Sequence, residues 1–423
     1  MTGPGEPSRR GDVRLLLTAR VAAASATALT LFALTIHAHD SGGGTGRVAA
    51  IMVAFALPSV IGMGAAGHLA DQHDSRTVLV LSGCAQVCAV GALTLGGAPW
   101  VIYALVVVAQ LAQTIGNPTW SALLPMITGD NDYGRVVATQ QGAVALAGIV
   151  AAGVGGLVAA TWGTGAVLWA ATASCAVLTA CGAMVKARRG GSSPSPGSVW
   201  SGLGRSMFSP AGVRLLRDDA VVWPLLTSLL AALLLLESVN VAEVFLIRDT
   251  LHGSASAFGV VQALSGAGAV GGAWAAGRVR TQRARLRTVG AAMAASGACM
   301  AGAGAAPNTA IAGIAFALIG FAIALANGTF FPALMLRTHD SRRGAVNAAA
   351  MGLGRAATMA GLAVGAGVGA LVGPRTMFLV AGALIAATCC LVVVRVWRAT
   401  RQLRDNPTLP EPDPASQRPP ADL

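Results

Sequence analysis

The chain has 423 residues and a formal net charge of +12, yet only 11% of its residues are charged while 54% are hydrophobic. Soluble domains carry about 25% charged residues, so this composition excludes a water-soluble protein. Glycine numbers 54 against 5% aromatics, which points to helices packed closely through small side chains rather than through large interlocking ones.

Twelve apolar stretches fill the chain, at 15–37, 47–67, 77–98, 100–127, 136–162, 165–186, 221–247, 255–278, 287–306, 309–336, 344–372 and 374–397. A hydrocarbon core about 30 Å thick needs roughly 20 helical residues per crossing, and backbone groups in lipid must bond within their own helix. The pattern therefore predicts an all-α integral membrane protein with twelve transmembrane helices.

The positive charge is segregated rather than clustered. With the N-terminus placed in the cytoplasm, 24 of the 29 Lys and Arg fall on the cytoplasmic side; only Arg47, Arg248 and Arg375 fall outside, and Arg20 and Arg355 lie within spans. That is the positive-inside rule, and it predicts a multi-pass protein with both termini in the cytoplasm. No contiguous basic face follows a phosphate backbone, so no nucleic-acid partner is expected. All seven cysteines lie inside spans and read as small apolar packing residues. Cys84 and Cys88 share a helix face, but no second ligand pair accompanies them and no metal is expected.

A break in hydropathy divides the chain. Residues 1–190 form a first six-helix bundle, 191–219 a cytoplasmic linker that starts with Gly, Ser and Pro, and 220–405 a second bundle. The stretch around Trp200, Leu203, Met207 and Phe208 suits either a helix lying on the inner leaflet or a solvated linker. Residues 406–423, rich in Pro and Asp, read as a disordered cytoplasmic tail. The halves echo one another: Gly153-Val154-Gly155-Gly156-Leu157-Val158 in span five recurs as Gly367-Val368-Gly369-Ala370-Leu371-Val372 in span eleven. Two pseudo-symmetric bundles are the expected arrangement.

After span two comes Gly67-His68-Leu69-Ala70-Asp71-Gln72-His73-Asp74-Ser75-Arg76. This resembles the Gly-x-Leu-Ala-Asp-Arg-x-Gly-Arg-Arg signature of the major facilitator superfamily, with matches at Gly67, Leu69, Ala70, Asp71, Asp74 and Arg76. Gln72 and Ser75 stand where that family has arginines. Gly116-Asn117-Pro118 with Ala122-Leu123-Leu124-Pro125, and Arg343-Gly344-Ala345-Val346, are similar to segments of its drug and siderophore efflux branch, the macrolide- and enterobactin-exporter-like members. The resemblance implies a secondary transporter of the bacterial inner membrane, acting as a monomer without cofactor. It implies export of a small amphipathic molecule in exchange for protons, or of a siderophore or other acidic metabolite. The motif residues would latch the cytoplasmic side, Asp71 against a helix N-terminus, where a carboxylate contributes about 0.3–1 kcal/mol.

Ionisable groups within a bilayer cost roughly 2.5–3.5 kcal/mol on insertion scales, so each marks a candidate site. Glu237, Asn240 and Glu243 in span seven sit at i, i+3 and i+6, which spreads them over about 120° of one helix face. That face is expected to look into the central cavity. Glu237 is the first candidate for proton coupling and Glu243 the second, since a carboxylate withdrawn from water can carry a proton through a conformational cycle. Arg355, about 16 Å into span eleven, must meet an anion or water; the partner is either a span-seven glutamate or an acidic group on the substrate. Arg20 either snorkels inward or faces the cavity. Gln113 and Asn117 in span four, Gln262 in span eight and Asn327 in span ten are further cavity candidates, interhelical bonding being the other use of such residues.

His37, His39 and Asp40 end span one and read as a solvated rim. No Walker lysine motif appears, which argues against an ATP-driven pump. A membrane sensor or scaffold would be marked by an appended soluble domain, and an enzyme by a nucleophile with its base; the sequence shows neither.

Overall fold

The computed structural model describes residues 6–62, 73–128, 133–187, 210–218, 222–338 and 343–405, and every regular element among them is helical. The first half holds α1 (Glu6–Asp40), α2 (Gly44–Ile61), α3 (Ser75–Leu93), α4 (Pro99–Thr128) and α5 (Tyr133–Met184). A short α6 (Pro210–Asp218) precedes the second half, which holds α7 (Val222–Asn240), α8 (Glu243–Phe245), a π turn (Leu246–Thr250), α9 (Ala255–Ala276), α10 (Gln282–Ala305), α11 (Thr309–Arg337), α12 (Arg343–Val372) and α13 (Pro374–Asp405).

Nine segments among the described residues are long and apolar enough to cross a membrane. One of them, Thr139–Met184 in α5, is 46 residues long and crosses twice, because Gly163 at φ 81° and ψ 171° breaks the helix. That φ is costly for any residue with a Cβ. Beyond it the chain returns, so that Val136 and Val137 pack in the same cluster as Leu178, Cys181 and Val185. With the shorter α2 and with α9, the crossings reach the expected twelve.

Helix starts are set locally by capping side chains. Asp74, Ser254, Thr281 and Asn308 each accept a bond from a backbone N–H in the first turn of α3, α9, α10 and α11, which removes an orphan donor. Two boundaries differ from the sequence reading. The helix of span two stops at Ile61, and span seven is not continuous: α7 ends at Asn240, Val241 and Ala242 form a turn, and α8 leads into the π turn. Val241, Ala242, Val244, Leu246 and Ile247 are all fully buried, so hydropathy carries no face that would reveal the break.

The helices alternate between a terminal face, where α1 begins and α13 ends, and a distal face that holds the α1–α2 turn and Gly163. The apolar core is divided in an informative way. One cluster spans both halves at the distal face, joining Phe32, Ile36, Val48 and Ala151 to Val239, Ile247, Phe258 and Phe378. At the terminal face each half has its own. Leu16, Leu79, Trp120 and Leu178 form one, and Leu216, Leu226, Val289 and Phe330 form the other. Among the described residues, the halves are thus closed upon each other distally and separate at the terminal face.

The distal closure is made by backbone contact. A Cβ added to Gly156 of α5 would lie 2.8 Å from the Cα of Gly259 in α9 and 3.2 Å from the Ala255 carbonyl oxygen. Beside this seam the rings of Phe32 and Phe258 stack with centroids 5.4 Å apart. On the other side of the molecule, a Cβ on Gly369 of α12 would come 3.0 Å from Thr45 of α2, a second close approach between the halves. Gly156→Leu should destabilise the protein by about 1–3 kcal/mol through overpacking, read as a lower thermal midpoint in detergent. Gly148→Leu, where nothing lies within 4 Å, should leave the midpoint unchanged; equal effects would deny the seam its role.

Candidate functional site

Glu237 and Asn240 on the last turns of α7, together with Glu243 on α8, line a cavity of about 190 Å³. Gln262 and Ser265 of α9 complete its polar wall, while Met300, Phe316, Ile319 and Phe378 make it largely apolar. The three span-seven residues do converge, as their spacing suggests, although the helix between them is broken. Among the described residues, the lining of this cavity comes from the second half.

Within it the two carboxylates are treated differently. Asn240 Nδ2 donates to Glu237 Oε2 at 3.2 Å, and Thr358 of α12 is a second hydrogen-bond partner of that carboxylate. A Cβ on Gly361 would lie 2.8 Å from the Glu237 Cβ, so the glycine is what lets α12 press against α7 here. Glu243 is 4% exposed, and among the described residues its Oε1 has no hydrogen-bond partner and the lining includes no Lys or Arg. A buried carboxylate oxygen in that condition is a costly feature, and a proton or a cation is what relieves it.

Several candidates fall elsewhere. Asn327 is exposed on α11 and outside the cavity wall, because its helix turns Ile319 and Ile323 inward instead. Arg355 is half-buried on α12 and has a partner, but it is not among the cavity-lining residues. Neither span-seven glutamate is paired with it, since Asn240 and Thr358 are what bond Glu237, and Glu243 is shaped by burial alone. Arg20 does not snorkel: its Nη1 donates to Asn117 Oδ1 at 2.6 Å, and its Nε is buried without a partner. Gln113 Nε2 donates to Thr27 Oγ1 at 2.9 Å. The two clefts along this α1–α4 seam measure about 10 Å³ each, room for one water at most. Gln113 and Asn117 are thus interhelical bonds in this conformation, with Gln86 of α3 buried beside them.

Of the signature loop, Asp74 caps α3 by accepting from Thr77 N at 3.4 Å, and Arg76 is exposed. Gly67, Leu69, Ala70 and Asp71 lie outside the described residues. Among the described residues no group of three His, Cys, Asp or Glu is placed to hold a metal.

One cluster went unread in the sequence. His39 is not part of a solvated rim: Nδ1 lies 2.9 Å from Asp40 Oδ1, and Nε2 lies 2.7 Å from Asp249 Oδ1 across the distal seam. Arg248 Nη2 donates to the same Asp40 oxygen at 2.7 Å. The π turn carries Arg248 and Asp249 to the end of α1. The partners are more than 200 residues apart, and the only signal was that Arg248 is one of three basic side chains expected on that face.

Comparison with known proteins places this architecture. The sequence profile of the Major Facilitator Superfamily matches residues 16–355. No curated protein sequence matches the chain. Among solved structures the chain is similar to the nucleoside transporter NupG, at 12% identity and a TM-score of 0.71, covering 92% of this chain and 99% of that one. It is also similar to the human organic anion transporter MFSD10 (TETRAN), at 15% identity and a TM-score of 0.62, covering 91% and 99%. A third structure, from work on proton dependent oligopeptide transporters, matches at 13% identity with a TM-score of 0.70, covering 93% and 100%.

The unpartnered oxygen of Glu243 generates a stability prediction. Glu243→Met removes a buried polar group at similar length and should stabilise the protein by about 1–3 kcal/mol, seen as a raised thermal midpoint in detergent. A lowered midpoint would mean that the carboxylate is already satisfied.

Proposed function

Since the chain belongs to the major facilitator superfamily, we propose that it exports a small amphipathic molecule in exchange for protons by alternating access. It is a multi-pass membrane transporter and not an enzyme. The terminal face is taken as cytoplasmic from the arginine distribution, in a bacterial inner membrane, with the protein acting as a monomer. The observation that carries the reading is the divided core: one shared cluster distally, two separate clusters at the terminal face. In that orientation the protein stands ready to load cargo from the cytoplasm.

Glu237 is the proposed proton carrier. It touches α7 and α12 partners together, so gain or loss of a proton alters a contact between helices that move. Glu243 is the second candidate, and Asp71 of the signature loop the proposed cytoplasmic latch. Apolar walls and two carboxylates suit an amphipathic cargo that is neutral or cationic. Export of an acidic metabolite is the second reading.

Glu237→Gln keeps size and hydrogen bonding while removing titration. In proteoliposomes with an imposed pH gradient, uphill export should fall about tenfold or more, while exchange down a substrate gradient stays within about twofold. Wild-type uphill accumulation in the variant would rule Glu237 out. Orientation is tested by a cysteine at Ser195 on a cysteine-free background: an impermeant thiol reagent should fail to label it in intact cells, and labelling would invert the topology.

A further inference from the structure

We propose that the cavity at the break in span seven is a binding site for a small monovalent metal cation, sodium or potassium, with Glu243 as its charged ligand. Three observations converge on it. The first is the carboxylate itself: Glu243 is 4% exposed, lines the cavity, and among the described residues its Oε1 has no hydrogen-bond partner. A buried charge persists where it is paired or bound to a metal ion, and among the described residues the lining offers no Lys or Arg for a pair. One free carboxylate calls for one positive charge, since Glu237 is already engaged by Asn240 and Thr358.

The second is the donor set. Besides Glu243, the polar wall consists of Glu237, Asn240, Gln262 and Ser265, and every one of these side chains carries an oxygen. Hard cations take carboxylate, amide and water oxygens rather than His or Cys. Asn240 gives its Nδ2 to Glu237 at 3.2 Å, which leaves its Oδ1 as an acceptor. At about 190 Å³ the cavity also lets the ion keep water, a single water needing only about 10–15 Å³.

The third is the backbone. Span seven is discontinuous here: α7 ends at Asn240, and the Ala242 N–H turns back to the Val239 carbonyl oxygen at 2.8 Å. The end of α7 carries the partial negative charge of a helix C-terminus, and such half-helix ends with unwound carbonyls are what coordinate sodium in discontinuous transmembrane helices generally. Glu237 and Asn240 lie before the break and Glu243 after it, so an ion among them ties α7 to α8. Among the described residues the lining belongs to the second half; binding therefore does not wait on the meeting of the halves. The site goes beyond the proton-coupled export reading, in which Glu237 keeps its role.

The test uses purified full-length protein in detergent at fixed pH and ionic strength, with sodium, potassium, calcium or n-butylammonium chloride set against choline chloride. Sodium or potassium should raise the thermal midpoint by about 3–6 °C over choline, saturating with concentration. Glu243→Met should abolish the rise, and Glu243→Gln, which removes the charge alone, should increase the concentration needed for half of it at least about tenfold. Asn327→Leu, at an exposed position outside the cavity wall, should keep it. Equal midpoints in sodium, potassium and choline would overturn the proposal and leave a proton as what satisfies Glu243. A rise undiminished in either Glu243 variant would overturn it too, as would one produced by calcium or n-butylammonium but by neither alkali ion. Because no gradient or transport enters the measurement, the export reading stands or falls separately.

Discussion

Gly156 and Gly259 meet so closely that one added carbon would fall 2.8 Å from the facing Cα, and the rest of the closed face depends on that approach. In a bilayer the hydrophobic effect does not draw helices together, so contact must come from close packing of small residues. The glycine seam brings α5 and α9 near enough for Phe32 and Phe258 to stack. It also brings the end of α1 within bonding distance of the π turn. Seam, stacked rings and charge cluster stand together on one face, and no described cluster bridges the halves on the other.

The acidic cavity runs against the economy of such a protein. Carboxylates are expensive at depth in a membrane, and Glu243 lacks even a partner for one oxygen. Strain of this sort persists where function requires it. Glu237, by contrast, is bonded from two helices, which places a titratable group on a joint between α7 and α12.

The cavity carboxylates sit inside the second half, while His39 bridges the halves at their rim. The π turn makes the rim cluster possible, since its extra residue per turn re-aims the side chains that follow.

By itself the sequence determined that the chain crosses a membrane, how many times, and in which superfamily it belongs. Hydropathy and arginine placement are local properties that the bilayer imposes on any such chain, and the loop from Gly67 to Arg76 is a contiguous motif legible without a fold. That Glu237, Asn240 and Glu243 share one face was also legible from their spacing, whereas Gln262 was one cavity candidate among several and only the fold set it beside them. Tertiary structure decided the rest. Asn327 was excluded and Gln113 and Asn117 became interhelical bonds because which side of a uniformly apolar helix faces a neighbour leaves no mark in composition. The break after Asn240 was hidden for the same reason. The bridge from His39 to Asp249 joins residues separated by 210 positions, and only the meeting of the two halves brings them together.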